Sequence, residues 1–288
     1  MTYSTPILRS LLASAVVVLA GAAYAQDARN TGELPIAVQM YTLRDAGTLD
    51  EQLAAIEAAG ITAVETVGTQ KVSAEELKAA LDKHGIKAIS THAQIDDLRS
   101  DLDGVIAFNK AIGNDTIIVP HLKPEARPAD AAGWTALGEE LKAISEKVQA
   151  QDMQLGYHNH DFEMVDMGGK TALEVMMAAA GDDVVAELDL AWVARGGHDP
   201  VEYLSRFDGR VFAIHAKDNA PAGEAVDEKG FKALGEGELD FAKILPAAEE
   251  AGTKWYIIEH DMPKDAAAVV KTGAEFLTKN LPESAKRD

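Results

Sequence analysis

Eight short apolar, β-rich runs, each followed by a stretch of helical period, constrain this chain more than any other feature. The runs are IAVQMY (36–41), TAVETV (62–67), KAISTH (87–92), TIIVPH (116–121), LGYHNH (155–160), VAELDL (185–190), VFAIHA (211–216) and YIIEHD (256–261). Between them apolar residues recur at helical spacing, as in LDEQLAAIEAAG and WTALGEELKAISEKVQAQ. Gly60, Gly85 and Gly252 stand where a helix stops and the next strand begins, because glycine enters left-handed backbone without strain. Eight such units predict an α/β fold, a (β/α)8 TIM barrel forming a single domain over residues 35–281. The rival is an open doubly wound sheet, which carries a Gly-rich phosphate loop after its first strand. TLRDAGTL has no such pattern. The longest connection, Asp218 to Leu239, is expected to be a lid or binding loop.

The first 25 residues read as a secretory signal peptide. Arg9 precedes an apolar run from Leu11, which ends on Ala23-Tyr24-Ala25 before Gln26. The apolar run is shorter than the ~20 residues a membrane span needs, and no other segment is long and apolar enough. A linker (26–34) then leads into the barrel, and residues 282–288 form a C-terminal tail. The expected product is an exported, soluble protein, periplasmic in a Gram-negative cell. Lysine and arginine number 27 against 47 acids, for a net charge of −20, so a phosphate backbone would repel the chain and no nucleic-acid partner is expected. The absence of cysteine excludes a thiolate metal site and a cysteine nucleophile.

In a barrel of this kind the active site lies at the C-terminal ends of the strands. Six of the eight histidines (92, 121, 158, 160, 215 and 260) fall there, with Glu65, Glu187, Asp189, Lys217, Glu259 and Asp261. Strand alternation puts Glu187 with Asp189, His215 with Lys217, His158 with His160, and Glu259 with Asp261 on shared faces. If Asp189, His215 and Glu259 point inward, two carboxylates and an imidazole meet. With one more carboxylate this is a mixed N/O site suited to Mn²⁺, Mg²⁺ or Co²⁺, with Zn²⁺ also within range.

QMYTLRD (39–45), LGYHNHDFE (155–163), ELDLAWVARGGHDP (187–200), IHAKD (214–218), GEGELDF (235–241) and WYIIEHD (255–261) resemble the xylose-isomerase-like sugar isomerase/epimerase superfamily. The YHNH form resembles the branch near the inosose dehydratases. The resemblance implies one metal ligand from each of strands five to eight. Asp189, His215 and Glu259 match directly. Where the family usually has a strand-five glutamate this chain has His158, so Glu163 is expected to supply the carboxylate, with His158 as alternative ligand or substrate contact.

The chemistry shared by such sites is removal of a proton beside a sugar carbonyl, with a divalent ion as Lewis acid. His158 and His160 are candidate bases, since histidine titrates near neutrality. Lys217 would stabilise a developing oxyanion. Glu65, His92, His121 and Trp192 are candidate substrate contacts. His198 lies in RGGHDP, where Asp199-Pro200 reads as a helix start, and is left out of the site. Export favours an unphosphorylated keto-sugar or 3-keto-glycoside as the small-molecule substrate, and elimination or hydration as the outcome. The alternatives are ketose isomerisation or epimerisation and a non-catalytic exported sugar-binding protein.

Overall fold

A computed structural model describes Met1 and residues 34–286. The signal segment after Met1, the linker up to residue 33 and the last two residues of the tail lie outside the described residues. Eight parallel strands close into a barrel. They are β1 (Ile36–Gln39), β2 (Ala63–Val67), β3 (Lys87–His92), β4 (Thr116–Val119), β5 (Gln154–His158), β6 (Val184–Asp189), β7 (Val211–Ala216) and β10 (Trp255–Ile258). Two-residue strands β8 (Asp218–Asn219) and β9 (Phe231–Lys232) pair antiparallel in the loop after β7. The outer helices are α1 (Leu49–Ala58), α2 (Ala74–Lys83), α3 (Ile95–Ile112), α4 (Ala131–Gln149), α5 (Ala172–Ala180), α6 (Leu190–Arg195), α7 (Pro200–Ser205), α8 (Phe241–Glu250) and α9 (Ala266–Asn280). No helix among the described residues is long and apolar enough to cross a membrane.

Local chemistry explains where these elements begin and end. Thr48, Ser73 and Thr171 each accept from the backbone N–H three residues on, and Glu51, Glu76 and Glu174 reach back to the cap. These reciprocal caps satisfy donors that a helix start leaves open. Asp199 caps α7 with Pro200 at its first position. β1 stops at Gln39, whose side chain accepts from Tyr41 N and starts a 3-10 turn at Met40. β4 stops before Pro120, which has no N–H to donate. In these two runs the C-terminal end is therefore not strand, and likewise Glu259 to Asp261 follow β10 instead of belonging to it.

The core has two parts. The larger lies between sheet and helices and includes Val38, Val64, Ile117, Leu155, Leu188 and Ile214. The smaller fills the barrel floor with Ala37, Ala63, Ile89, Ile118, Val185, Phe212, Ala213 and Ile257. β5 contributes Gly156 at this level. A methyl group there would lie 2.5 Å from Ile118 Cδ1 and 2.9 Å from Val185 Cγ2. Above the floor, alternation carries polar residues inward: Glu187 and Asp189 after Val185, His215 and Lys217 after Ala213, His158 and His160 after Gly156. Two register shifts adjust this. One lies where Val64 and Glu65 pair with Ala88 and Ser90, the other where Ala186 and Glu187 pair with Val211 and Ala213. The first turns both Ile89 and His92 inward, which simple alternation forbids.

Gly156→Ala should cost about 1–3 kcal/mol by overpacking the floor. Urea unfolding should show a lower midpoint at unchanged slope; an unmoved midpoint would mean that the floor has room to give.

Candidate active site and metal centre

A cavity of about 440 Å³ opens above the polar layer. It is lined from β5 by His158 and His160, from β7 by His215 and Lys217, from beyond β10 by Glu259 and Asp261, and by Gln39, His92, His121 and Trp192. Of the residues expected from the sequence, the structure brings Asp189, His215, Glu259, His158, His160 and Lys217 together. Glu163 and Glu65 it places elsewhere.

One donor atom from each of Asp189, His215 and Glu259 lies within 4.8 Å of the others. Each has a reason to point there. Asp189 uses Oδ1 to cap α6, accepting from Trp192 N at 3.0 Å. Asn159 and Asp189 exchange hydrogen bonds, side chain to backbone, at 3.0 and 3.2 Å, which ties the ends of β5 and β6. His215 Nε2 faces Glu65 Oε1 at 2.9 Å and Glu187 Oε1 at 3.1 Å, leaving Nδ1 toward Asp189 Oδ2 at 3.8 Å. A carboxylate behind an imidazole orients the ring and raises its basicity, as in known metal centres. His158 Nε2 lies 4.0 Å from the same Asp189 oxygen.

These residues fit a divalent cation. His215 Nδ1, Asp189 Oδ2 and Glu259 Oε2 are buried polar atoms with no directed hydrogen bond. Lys217 Nζ is close to the two oxygens, at 2.8 and 2.6 Å, but obliquely, and forms its hydrogen bond to Asp261 Oδ2 at 2.6 Å. The two carboxylate oxygens are thus ion-paired to Lys217, whereas His215 Nδ1 has no close partner, and a buried polar atom left so is costly unless something satisfies it. His158 of β5 stands beside this set without belonging to it, its Nε2 4.0 Å from Asp189 Oδ2.

The expectation for Glu163 is corrected. Its two carboxylate oxygens accept from Tyr157 O–H at 2.6 Å and His160 N–H at 2.8 Å. Tyr157 alternates with His158 and packs outside the barrel wall, in the larger core. Glu163 therefore buttresses the loop after β5 from behind and is absent from both donor groups. Glu187 is the register partner of His158 and lies 3.1 Å from its Nδ1, at an angle too oblique for a good hydrogen bond. Its inward facing beside Asp189 is legible from alternation alone.

Glu65 is corrected as well. It is fully buried beneath the cavity, accepting from Gln39, Ser90 and His215, and does not line the space a substrate would enter. His92 lines the cavity but gives its Nε2 to Glu187 at 2.7 Å and Glu65 at 3.0 Å. A second donor group, His92, His158, Glu187 and His215, shares His215 with the first. His198 packs on Tyr203, apart from the cavity.

Charge follows from these contacts. Burial alone would make His92 and His215 neutral, but Glu65 and Glu187 overcome it, holding His92 up to about 9 and His215 well above the ordinary value. Burial likewise opposes the charge on Lys217, but Asp189, Glu259 and Asp261 keep it an ammonium. Glu259 is pushed up to about 7 by burial, which Lys217 offsets in part. For His158 and His160 burial wins, aided by His215 at the first and Lys217 at the second, and both fall well below the usual histidine range. Two neutral imidazoles thus stand on one wall. Neither ring nitrogen of His160 has a hydrogen-bond partner among the described residues. Its ring is framed by His121, Phe162 and Trp192 at 5.0–5.9 Å.

The loop after β7 closes the side of the site. Asp218 accepts from Gly235, Gly237 and Leu239 N–H, each at 3.0 Å. This clamp seats Phe231, fully buried, against Trp192 and 4.5 Å from Lys217 Nζ.

The chain belongs to the xylose isomerase-like TIM barrel family, whose model matches residues 53–280. Among its relatives is an inosose dehydratase of Lacticaseibacillus casei, 26% identical over 240 residues, covering 73% of this chain and 74% of the relative. A sugar phosphate isomerase/epimerase from Parabacteroides distasonis shares the fold at a TM-score of 0.71 and 20% identity, covering 86% of this chain and 95% of that one. The protein IolI, whose structure contains a zinc atom, does so at 0.70 and 16%, covering 86% and 98%.

Two predictions separate the strand-five candidates. His158→Ala should weaken divalent-ion binding by ~10-fold or more, whereas Glu163→Gln should leave it unchanged, as read by metal analysis after dialysis. Loss of the ion from the Gln variant alone would reverse the assignment. Burial raises the Glu163 carboxyl to about 7 in the folded chain, against ~4.3 when unfolded. Its contribution to stability is thus complete below the unfolded value and lost as pH rises through the folded one. Relative to Glu163→Gln, the unmodified protein should lose thermal stability between about pH 4 and 7.5, with no further relative loss above that. Parallel melting curves for the two proteins across that range would refute this.

Proposed function

We propose that this chain is a divalent-metal-dependent enzyme that takes the proton beside the carbonyl of an unphosphorylated keto-sugar or 3-keto-glycoside and expels the β-oxygen substituent. The carrying observation is the convergence of Asp189, His215 and Glu259 donors at the base of a cavity walled by neutral His158 and His160. His158, Asp189, His215 and Glu259 would hold the ion, and Lewis acidity toward the substrate carbonyl is what it would supply. His160 is positioned to receive the proton: neutral, unpartnered and open to the cavity. Lys217, held cationic, stabilises negative charge that develops on oxygen. Trp192 forms an apolar wall, and Phe231 keeps water from Lys217.

Elimination is favoured over epimerisation by where proton carriers stand. β1 faces β5 across the barrel, and its inward side chain, Gln39, has no proton to exchange. Glu259 and Asp261 are both tied to Lys217. An epimerase needs a second acid/base on the opposite face of the carbon; a lyase can return the proton to the leaving oxygen from the same face. In that step the C–H and C–O bonds break, C=C forms, and the proton leaves with the oxygen as water or aglycone. The dehydratase name of the L. casei relative supports this reading.

Incubation with a 3-keto-glucoside and Mn²⁺, Mg²⁺ or Co²⁺ should release the aglycone. Chelation should abolish release, and Glu259→Gln should lower kcat/KM by ~10²-fold or more. Rapid interconversion of free ketose epimers without aglycone release would overturn the elimination. We propose further that the protein is exported and matures near Gln26. N-terminal sequencing of the secreted fraction tests this, and retention of Met1 on cytoplasmic protein would refute it.

A further inference from the structure

The cavity rim carries two cations that form no ion pair with a carboxylate among the described residues, although Lys229 acts at longer range on Asp261 and Arg127 on Glu163. Arg127, after β4, lies over the Phe162 ring with 3.6 Å between guanidinium carbon and ring centre. It gives Nε to Leu122 O at 3.0 Å and Nη2 to His121 Nε2 at 3.1 Å. Its Nη1 has no partner, and no carboxylate pairs with it among the described residues. Lys229 lines the same cavity from the loop after β7. Its backbone is left-handed, at φ +56°, a conformation that L side chains rarely adopt. The turn before it is anchored by Lys264, which holds Asp227 at 2.7 Å and Glu228 at 3.8 Å. Its neighbours are paired, and Lys229 is not.

In a chain with 47 acids against 27 lysines and arginines, a cavity mouth that carries two basic side chains runs against the overall charge. Two left unpaired at one cavity mouth call for an external partner. The cavity's own acids do not fill that role. Glu259 and Asp261 belong to Lys217, and Asp161 stands exposed at the rim without pairing to either cation. Arg127 donates to His121 Nε2, so His121 carries its proton on Nδ1 and is a further donor. Burial, then Arg127 and Lys229, keep it neutral. A planar guanidinium with one edge open and an ammonium nearby suit an oxyanion.

We propose that Arg127 and Lys229, with His121, form a subsite for an anionic group on the substrate. That group is a carboxylate in an unphosphorylated substrate, which makes the substrate an acidic keto-sugar or a keto-glycoside bearing an acid; a phosphate monoester offers the same chemistry. The inference rests on the proposed function for the remainder of the substrate and adds an acidic group to it.

Titration calorimetry on the metal-loaded protein at low salt tests it, with D-glucuronate, D-glucose and D-glucose 6-phosphate as probes. At least one acid should bind about tenfold tighter than glucose, which is 1.4 kcal/mol. Glucuronate ahead of glucose 6-phosphate identifies the carboxylate, and the reverse order the phosphate. Lys229→Asn, a residue at ease in left-handed backbone, and Arg127→Gln should each remove most of that preference and leave glucose affinity unchanged. Lys229→Arg should retain it. Equal affinity for all three sugars, equal weakening of all three in the variants, or no binding of either acid would overturn the subsite. Selective binding of an acid by protein that turns over no keto-sugar would sustain the subsite and sink the reaction proposed above.

Discussion

Five carboxylates, from Glu65, Glu187, Asp189, Glu259 and Asp261, stand inside this barrel almost out of reach of water. Ionised groups are tolerated there only beside positive charge. Among the described residues that charge comes from His92, His215 and Lys217, and the rest of the site follows from how these three are shared. Glu65 and Glu187 take the Nε2 edges of His92 and His215, which turns His215 Nδ1 toward Asp189. Lys217 gathers Asp189, Glu259 and Asp261 around one ammonium. Acids still outnumber cations by two, the charge of one divalent ion, and Glu259, pushed up to about 7, is where the imbalance registers.

The layering beneath makes this cluster tolerable. An apolar floor closes the barrel, with Gly156 making room for Ile118 and Val185. The polar layer rests on it, and the cavity opens only above. Inward-facing positions on β5, β6 and β7 climb from floor to ligand level in steps of two residues, so one strand supplies both a packing residue and a functional one. The price is rigidity: moving any strand by one residue would turn its carboxylate or imidazole into the apolar layer outside.

Loops complete what the strands begin. Asn159 links the ends of β5 and β6, so His158 and His160 hold a set distance from Asp189. Asp218 clamps three backbone N–H groups and seats Phe231 over Lys217. The same loop turns Lys229 to the rim. Glu163 braces the turn after β5 from the outer side, through Tyr157 and the His160 backbone.

Much of this was legible in the sequence. The eight strand–helix units, the glycine helix stops, the Asp199-Pro200 start and the inward sharing of His215 with Lys217 follow from periods and caps, which are properties of neighbouring residues. Asp189, His215 and Glu259 could be named because they fall at or just beyond strand ends and match the family resemblance residue by residue. What alternation cannot supply is the relation between strands. It could not show that a register shift turns His92 inward beside Ile89, or that Glu65 lies under the cavity instead of beside the substrate. Nor could it show that Glu187 meets His158 across the β5–β6 ladder while Glu163 points behind the wall. Those outcomes depend on bulges, on register and on which oxygen reaches which nitrogen within 3 Å. Only closure of the barrel decided them, because closure sets every strand's height against its neighbours at once.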